Sequence, residues 1–286
     1  MQHLCVIGDP VLHSKSPLIQ NTMIKALGLD YEYLCQPVTR QELPAWVEQA
    51  RSGTWAGFNA TMPHKQALVP YLDELDEDAR LYGAVNTVCC QNGKLYGHNT
   101  DGEGFYRALQ GAGIPVEGMR FALLGAGGAA KAVALKLCQR GARKVVICNR
   151  TREKAAALAA ASPVMSVRGF TSEELFGAAA QCQVLINCTN LGMAGCAPFP
   201  SLAFLEALPA GAPVCDLIYH PVRTALLERA EGLGHPIMNG LPLLIHQAVL
   251  ALEHFTSTSI DAAGMLPLVQ AALAQEGQST GGAQVN

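Results

Sequence analysis

The chain has 286 residues, 50% of them hydrophobic and 15% charged, with a formal net charge of -3. That length calls for one large domain or two modest ones, and so apolar a composition excludes a disordered chain. With 20 Lys and Arg scattered singly against 23 Asp and Glu, no basic face can neutralise a row of phosphates, which excludes nucleic acid as a partner.

Mean hydropathy is +0.18, yet no run of about 20 apolar residues escapes interruption by charge or turn residues, so no membrane span is expected. The amino terminus carries no cationic leader and turns at Gly8-Asp9-Pro10, which reads as a first strand of a cytoplasmic chain. In that compartment the ten cysteines are expected to be reduced, semi-buried apolar residues. With no Cys-x-x-Cys pair and no matching His spacing, neither a metal site nor a disulfide is expected.

Residues 4–7 read as a short buried strand, followed by a helix from Ser16-Pro17 whose apolar positions Leu18, Ile19, Met23, Ile24 and Leu27 recur at helical spacing. Gly28 ends it. Residues 31–35 read as a second strand, 41–51 as a second helix, and 55–59 as a third strand entering the turn Ala60-Thr61-Met62-Pro63. Residues 87–90 and 94–97 flank Asn92-Gly93, a hairpin signature in which Asn-Gly supplies the positive φ angles of a tight turn.

The rhythm changes after Asp101. A helix over 104–110 precedes the strand 121–124, the turn Gly125-Ala126-Gly127-Gly128-Ala129-Ala130, a helix to about residue 139, and the strand 144–148. Strand, glycine turn, helix and strand make a βαβ unit with an expected right-handed crossover. Further strands are expected at 184–187 and 214–217, and helices at 241–255 and 262–274. The chain is thus α/β, with a boundary near 101–104. One domain is expected over 1–102, completed by helices over 240–275 that return to it, and a dinucleotide-binding domain over 103–239. The polar residues 276–286 lack apolar periodicity and are expected to fray.

In the glycine turn, Gly125 permits the tight bend, Gly127 lets backbone N–H groups approach a pyrophosphate, and Ala130 takes the third small position. The helix N-terminus adds partial positive charge for phosphate. An NAD site would place Asp or Glu about 20 residues further on. Here stand Asn149-Arg150-Thr151-Arg152. A guanidinium and a hydroxyl suit a 2′-phosphate that a carboxylate would repel, so NADP is favoured.

A second signal is spread over the first hundred residues: His13-Ser14-Lys15-Ser16-Pro17, Gly57-Phe58-Asn59-Ala60-Thr61-Met62-Pro63-His64-Lys65, Gly83-Ala84-Val85-Asn86-Thr87 and His98-Asn99-Thr100-Asp101-Gly102. Each puts small polar side chains at strand ends, where an open sheet gathers its ligand. With the glycine turn, Asn149-Arg150-Thr151, Asn187-Cys188-Thr189-Asn190, Asp216-Leu217-Ile218-Tyr219-His220-Pro221 and the segment 240–247, they resemble the shikimate dehydrogenase family over residues 5–255.

The resemblance implies a substrate domain, a Rossmann-type domain and an active site in the cleft between them. It also implies reversible NADP-dependent reduction of 3-dehydroshikimate to shikimate in the biosynthesis of chorismate and aromatic amino acids, while the sequence leaves monomer and homodimer both open. Carried over by position, Lys65 is the implied acid/base, with Asp101 beside it. Ser14 and Ser16 are implied to bind the substrate carboxylate, and Asn59, Thr61, Asn86 and Gln247 the ring hydroxyls, with Tyr219 at the cleft. The cofactor falls to Gly125, Ala126, Gly127, Gly128, Ala129, Asn149, Arg150, Thr151, Leu217 and Gly240. Ser16 is also the expected N-cap before Pro17, whereas Ser14 has less local structural use.

One segment departs from the family. Gly240-Leu241-Pro242-Leu243-Leu244 stands where members usually read Gly-Leu-Gly-Met-Leu, so Leu243 replaces a methionine that normally lies against the nicotinamide. A branch acting on quinate or an amino analogue stays open as an alternative, as does a non-catalytic protein binding NADP and a cyclitol acid.

Overall fold

A computed structural model describes residues 1–281, with side chains through Glu276. Contacts divide the chain into two units, Met1–Thr100 joined by the chain from Ile245, and Asp101–Leu244. The sequence placed these divisions after residues 102 and 239. The differences are local, because a helix begins at Asp101 and the first turn of another occupies residues 241–244.

The first unit contains β1 (Gln2–Gly8), α1 (Ser16–Ala26), β2 (Tyr31–Pro37), α2 (Leu43–Arg51), β3 (Gly57–Ala60), α3 (His64–Ala67), β4 (Glu74–Leu75), α4 (Glu77–Tyr82), β5 (Thr87–Gln91) and β6 (Lys94–His98). Its sheet runs β2-β1-β3-β5-β6-β4. Leu4, Cys5, Val6 and Ile7 are all buried, as expected of a strand covered on both faces. β1 pairs in parallel with β2 and β3, whereas β3–β5 and β5–β6 are antiparallel. The hairpin turns at Asn92 and Gly93, whose φ angles are 52° and 75°. Trp46 anchors the core beneath α2, tilted 5.4 Å from Trp55 and edge-on to Phe58 at 5.9 Å.

The second unit begins with α5 (Asp101–Gly111), β7 (Arg120–Leu124), α6 (Gly128–Gln139), β8 (Lys144–Cys148), α7 (Arg152–Ala159) and β9 (Met165–Arg168). It continues with α8 (Ser172–Ala179), β10 (Val184–Asn187), β11 (Val214–Asp216), α9 (Ala225–Gly232) and β12 (Ile237–Met238). Every pairing in its sheet, ordered β12-β11-β10-β7-β8-β9, is parallel. The chain winds outward from β7 through β8 to β9, then returns to β10 on the other side of β7. That reversal is the switch point of a doubly wound sheet, where ligands bind beyond the strand carboxyl ends.

α10 (Leu241–Thr256) and α11 (Ala262–Gly281) complete the first unit. α11 packs on α1. The frayed tail expected from residue 276 is a correction in part: α11 runs to Gly281, and Glu276 pairs with Lys15 at 2.9 Å. Residues 282–286 of that expected tail lie outside the described residues. None of the described helices is long and apolar enough to cross a membrane. Burial pushes the thiols of Cys148 and Cys215 up to about 12, which leaves them inert.

α10 lies hard against the first sheet at Gly57. A Cβ there would stand 2.5 Å from a ring carbon of Phe255 and 2.8 Å from the carbonyl oxygen of Val88, which is fixed in the sheet. Gly57→Ala is expected to destabilise the protein by about 1–3 kcal/mol, the usual cost of overpacking a core. A lowered urea midpoint with an unchanged slope checks this.

Candidate active site

Parallel pairing of β1 and β3 brings their carboxyl ends to one edge of the first sheet. Two antiparallel steps then return the start of β5 and the end of β6 to that edge, since Asn59 pairs with Thr87 and Thr87 with His98. The loops and first helical turns leaving this edge carry Ser14 and Ser16, Thr61 and Lys65, and Asn86. Backbone bonds tie them in series. Asp9 N donates to the Met62 carbonyl at 3.1 Å, and Val85 N donates to the Lys65 carbonyl at 2.7 Å.

A buried polar spine runs beneath these loops. The Tyr33 hydroxyl, kept neutral by burial, donates to Asn59 Oδ1 at 2.6 Å. Asn59 Nδ2 donates to the Asn86 carbonyl at 2.9 Å and to Thr87 Oγ1 at 3.0 Å. Asn86 Oδ1 accepts from Thr100 N at 2.9 Å, and its Nδ2 donates to Thr100 Oγ1 at 2.9 Å. Thr100 Oγ1 in turn donates to the Gln247 carbonyl at 3.0 Å, which brings α10 to the same edge. Asn59 and Asn86 are only 8% and 3% exposed, so their amides need these partners. Asn59 commits both amide hydrogens and one acceptor site to the spine, whereas Thr61, Lys65 and Gln247 are half-buried around it.

Ser16 is not the N-cap that Ser16-Pro17 suggested. Lys15 takes that place without a capping side chain, and Ser16 is the first helical residue. Ser14 has the local task instead, its Oγ accepting from Ser16 N at 3.2 Å. The Ser16 hydroxyl has no hydrogen-bond partner among the described residues. Fully buried His64, which sequence reasoning passed over, sets its Nε2 2.6 Å from the Val38 carbonyl oxygen and so fixes the backbone that carries Lys65.

Asp101 lies in the second unit as the first residue of α5, where the helix N-terminus favours a carboxylate. The glycine turn follows β7. Gly125 has φ +108°, and a Cβ there would stand 3.0 Å from Thr189, so the tight bend admits glycine alone. Around Gly127 and Gly128 no atom lies within 4 Å of a built Cβ, and Ala129 is also exposed, which leaves the α6 N-terminus open to a large anion. Ala126 is half-buried, and Ala130 is fully buried.

At the end of β8, Asn149 Nδ2 donates to the Thr151 carbonyl at 2.8 Å and shapes the turn. Thr151 is the N-cap of α7, yet its hydroxyl makes no capping bond. Arg152 pairs with Glu174 at 3.6 Å, whereas exposed Arg150 has no acidic partner among the described residues. A pocket of about 450 Å³ opens across the switch point, lined by Ala129, Thr189, Asn190, Leu217, Tyr219 and His220 among others. Tyr219 is 38% exposed at its mouth. Gly240 lies against Leu217, whose carbonyl oxygen a Cβ would overlap.

A second buried spine backs this pocket. Asn187 Nδ2 donates to Asp216 Oδ1 at 3.0 Å, while Asn187 Oδ1 accepts from Thr189 N and Thr189 Oγ1 at 3.0 and 2.7 Å. Asp216 also accepts from Ile218 N at 3.0 Å and Thr224 Oγ1 at 2.7 Å. Burial raises the Asp216 carboxyl above the usual range, against these three bonds. The spine fixes Thr189 and the loop 217–219. The sequence assigns Asn187, Thr189 and Asp216 no role of their own, although polar residues ending two apolar strands beside a switch point are a legible signal.

Comparison with known proteins places this geometry. Residues 6–88 match the family model described as the shikimate dehydrogenase substrate binding domain, and residues 109–192 match that described as shikimate / quinate 5-dehydrogenase. A protein of Alkaliphilus oremlandii named shikimate dehydrogenase (NADP(+)) is 41% identical over 261 residues, 89% of this chain and 91% of its own. The structure of shikimate 5-dehydrogenase from Thermus thermophilus, in complex with NADP(H) and shikimate, is 35% identical with a TM-score of 0.83, covering 95% of this chain and 100% of that one. The ligand-free form of 5-ketofructose reductase from a Gluconobacter strain is 31% identical with a TM-score of 0.84, covering 94% and 98%. By matched domains in both units and identity over most of its length, the chain belongs to the shikimate dehydrogenase family.

Proposed function

We propose that this chain is a cytoplasmic oxidoreductase catalysing the reversible, NADP-dependent reduction of 3-dehydroshikimate to shikimate. The observation that carries the reading is the edge of the first sheet. It gathers a lysine with hydroxyl and amide side chains over a buried, satisfied spine, a lining suited to a small polyhydroxylated carboxylate. Family membership and the relatives' activities support it.

The first unit takes the substrate. Ser14 and Ser16 hold its carboxylate, Ser16 with a hydroxyl uncommitted within the protein. Thr61, Asn86 and Gln247 hold ring hydroxyls, and Tyr219 stands at the mouth of the second unit's pocket. Asn59 contributes chiefly by fixing Asn86, because its amide is nearly saturated. Lys65 delivers a proton to the carbonyl oxygen under reduction and removes it in the reverse direction, while Asp101 hydrogen-bonds the same oxygen.

The second unit fits a dinucleotide, since Gly125, Ala126, Gly127, Gly128 and Ala129 leave the α6 N-terminus open for a pyrophosphate. Bound there, the nicotinamide cofactor supplies the hydride for reduction and accepts it in oxidation. Asn149 shapes the loop on which Arg150 and Thr151 meet the 2′-phosphate. Leu217 and Gly240 wall the pocket.

Lys65→Ala is expected to lower kcat by about 10²–10⁴-fold, the usual span for lost acid–base catalysis, with KM for shikimate changed far less. Wild-type turnover would remove Lys65 from the reaction. Asp101→Asn should lower kcat and raise KM together, which steady-state kinetics read directly. Arg150→Ala should raise KM for NADP⁺ by about ten-fold and leave that for NAD⁺ unchanged, as expected of one lost charge-assisted contact. An equal effect on both cofactors would place Arg150 elsewhere.

A further inference from the structure

His98, the last residue of β6, stacks on His254 of α10 with ring centroids 3.9 Å apart and planes 19° from parallel. Asp76, the N-cap of α4, sets Oδ2 at 3.1 Å from His98 Nδ1. Its other oxygen accepts from Ala79 N at 2.6 Å, which fixes the carboxylate and leaves Oδ2 facing the rings. One donor atom from each of the three residues lies within 4.8 Å of the others, and all three side chains are half-buried. Nothing in the proposed reaction uses them.

We propose that Asp76, His98 and His254 form a binding site for one divalent transition-metal ion of the zinc class. Two imidazole nitrogens and one carboxylate oxygen are a ligand set that zinc accepts, with a fourth position left for water. Donors around a tetrahedral zinc stand about 3.3 Å apart, given bonds near 2.0–2.1 Å, and the Asp76–His98 pair is already at that spacing. The His254 donor lies within 4.8 Å of both. The hydrogen bond from Ala79 N does for Asp76 what an outer-shell partner does for a metal-bound carboxylate.

The backbone is equally prepared. β6 holds His98 opposite Thr87, and Phe255, packed on Gly57, fixes the turn of α10 that bears His254. The ligands come from positions 76, 98 and 254, so no sequence spacing reveals them. A bound ion would fasten α10 to β6 two helical turns from Gln247.

Isothermal titration of the chelator-stripped, full-length protein with Zn²⁺ tests the site. One ion per chain is expected, with binding at least ten-fold weaker in Asp76→Asn, which keeps a capping oxygen, and in His254→Gln. Melting followed by circular dichroism without metal should be native-like in both variants. If either variant fails to fold, the absorption spectrum of the Co²⁺-loaded wild-type protein decides, since nitrogen and oxygen ligands give no thiolate charge-transfer band. Absence of stoichiometric binding, wild-type affinity in both variants, or a thiolate band from the ten cysteines would overturn the proposal.

Discussion

The first unit depends on a single requirement, that two asparagine amides buried at the edge of its sheet be hydrogen-bonded. Asn59 and Asn86 meet it by binding each other's strand ends, Tyr33, Thr87 and Thr100, and through Thr100 the backbone of α10. An unpaired buried amide costs about 1–3 kcal/mol, so any displacement of one loop at this edge is opposed by the others. The half-buried residues around the spine, Thr61 in its turn and Lys65 in α3 among them, are thereby held as firmly as residues on a strand. The covered β1 strand and the close approach of Phe255 to Gly57 set the sheet on which this depends.

The second unit applies the same device to a different ligand. The Asn187–Asp216 spine satisfies a buried carboxylate with three donors and stations Thr189 and the 217–219 loop around the pocket. In the proposed reading anion recognition falls to an open helix N-terminus and to Arg150, which lacks an acidic partner among the described residues. A chain of net charge -3 can therefore serve anionic ligands without a basic face, because backbone N–H groups and a few hydroxyls do locally what net charge would do indiscriminately.

Much of this is legible in the sequence, for physical reasons that differ by residue. The strand–glycine–helix pattern at 121–130 is local chemistry, and Gly125 can be read there because its positive φ and its crowding by Thr189 both select glycine. Asn92-Gly93 is legible for the same reason. β4 and β12, two residues each, are too short to carry a period, and β9 lies at the sheet edge with half-buried side chains. The reversal of roles between Ser14 and Ser16 turns on one residue of helix register, below the resolution of any capping rule. The work of His64 is set by a distant partner, the Val38 carbonyl, which no local pattern reports.

The proposed identity of the substrate is open to a direct measurement. Steady-state oxidation of shikimate and of quinate, each with NADP⁺ and with NAD⁺, compares the four pairs by kcat/KM. The account predicts the largest value for shikimate with NADP⁺. A larger value for quinate, or for either substrate with NAD⁺, would contradict it.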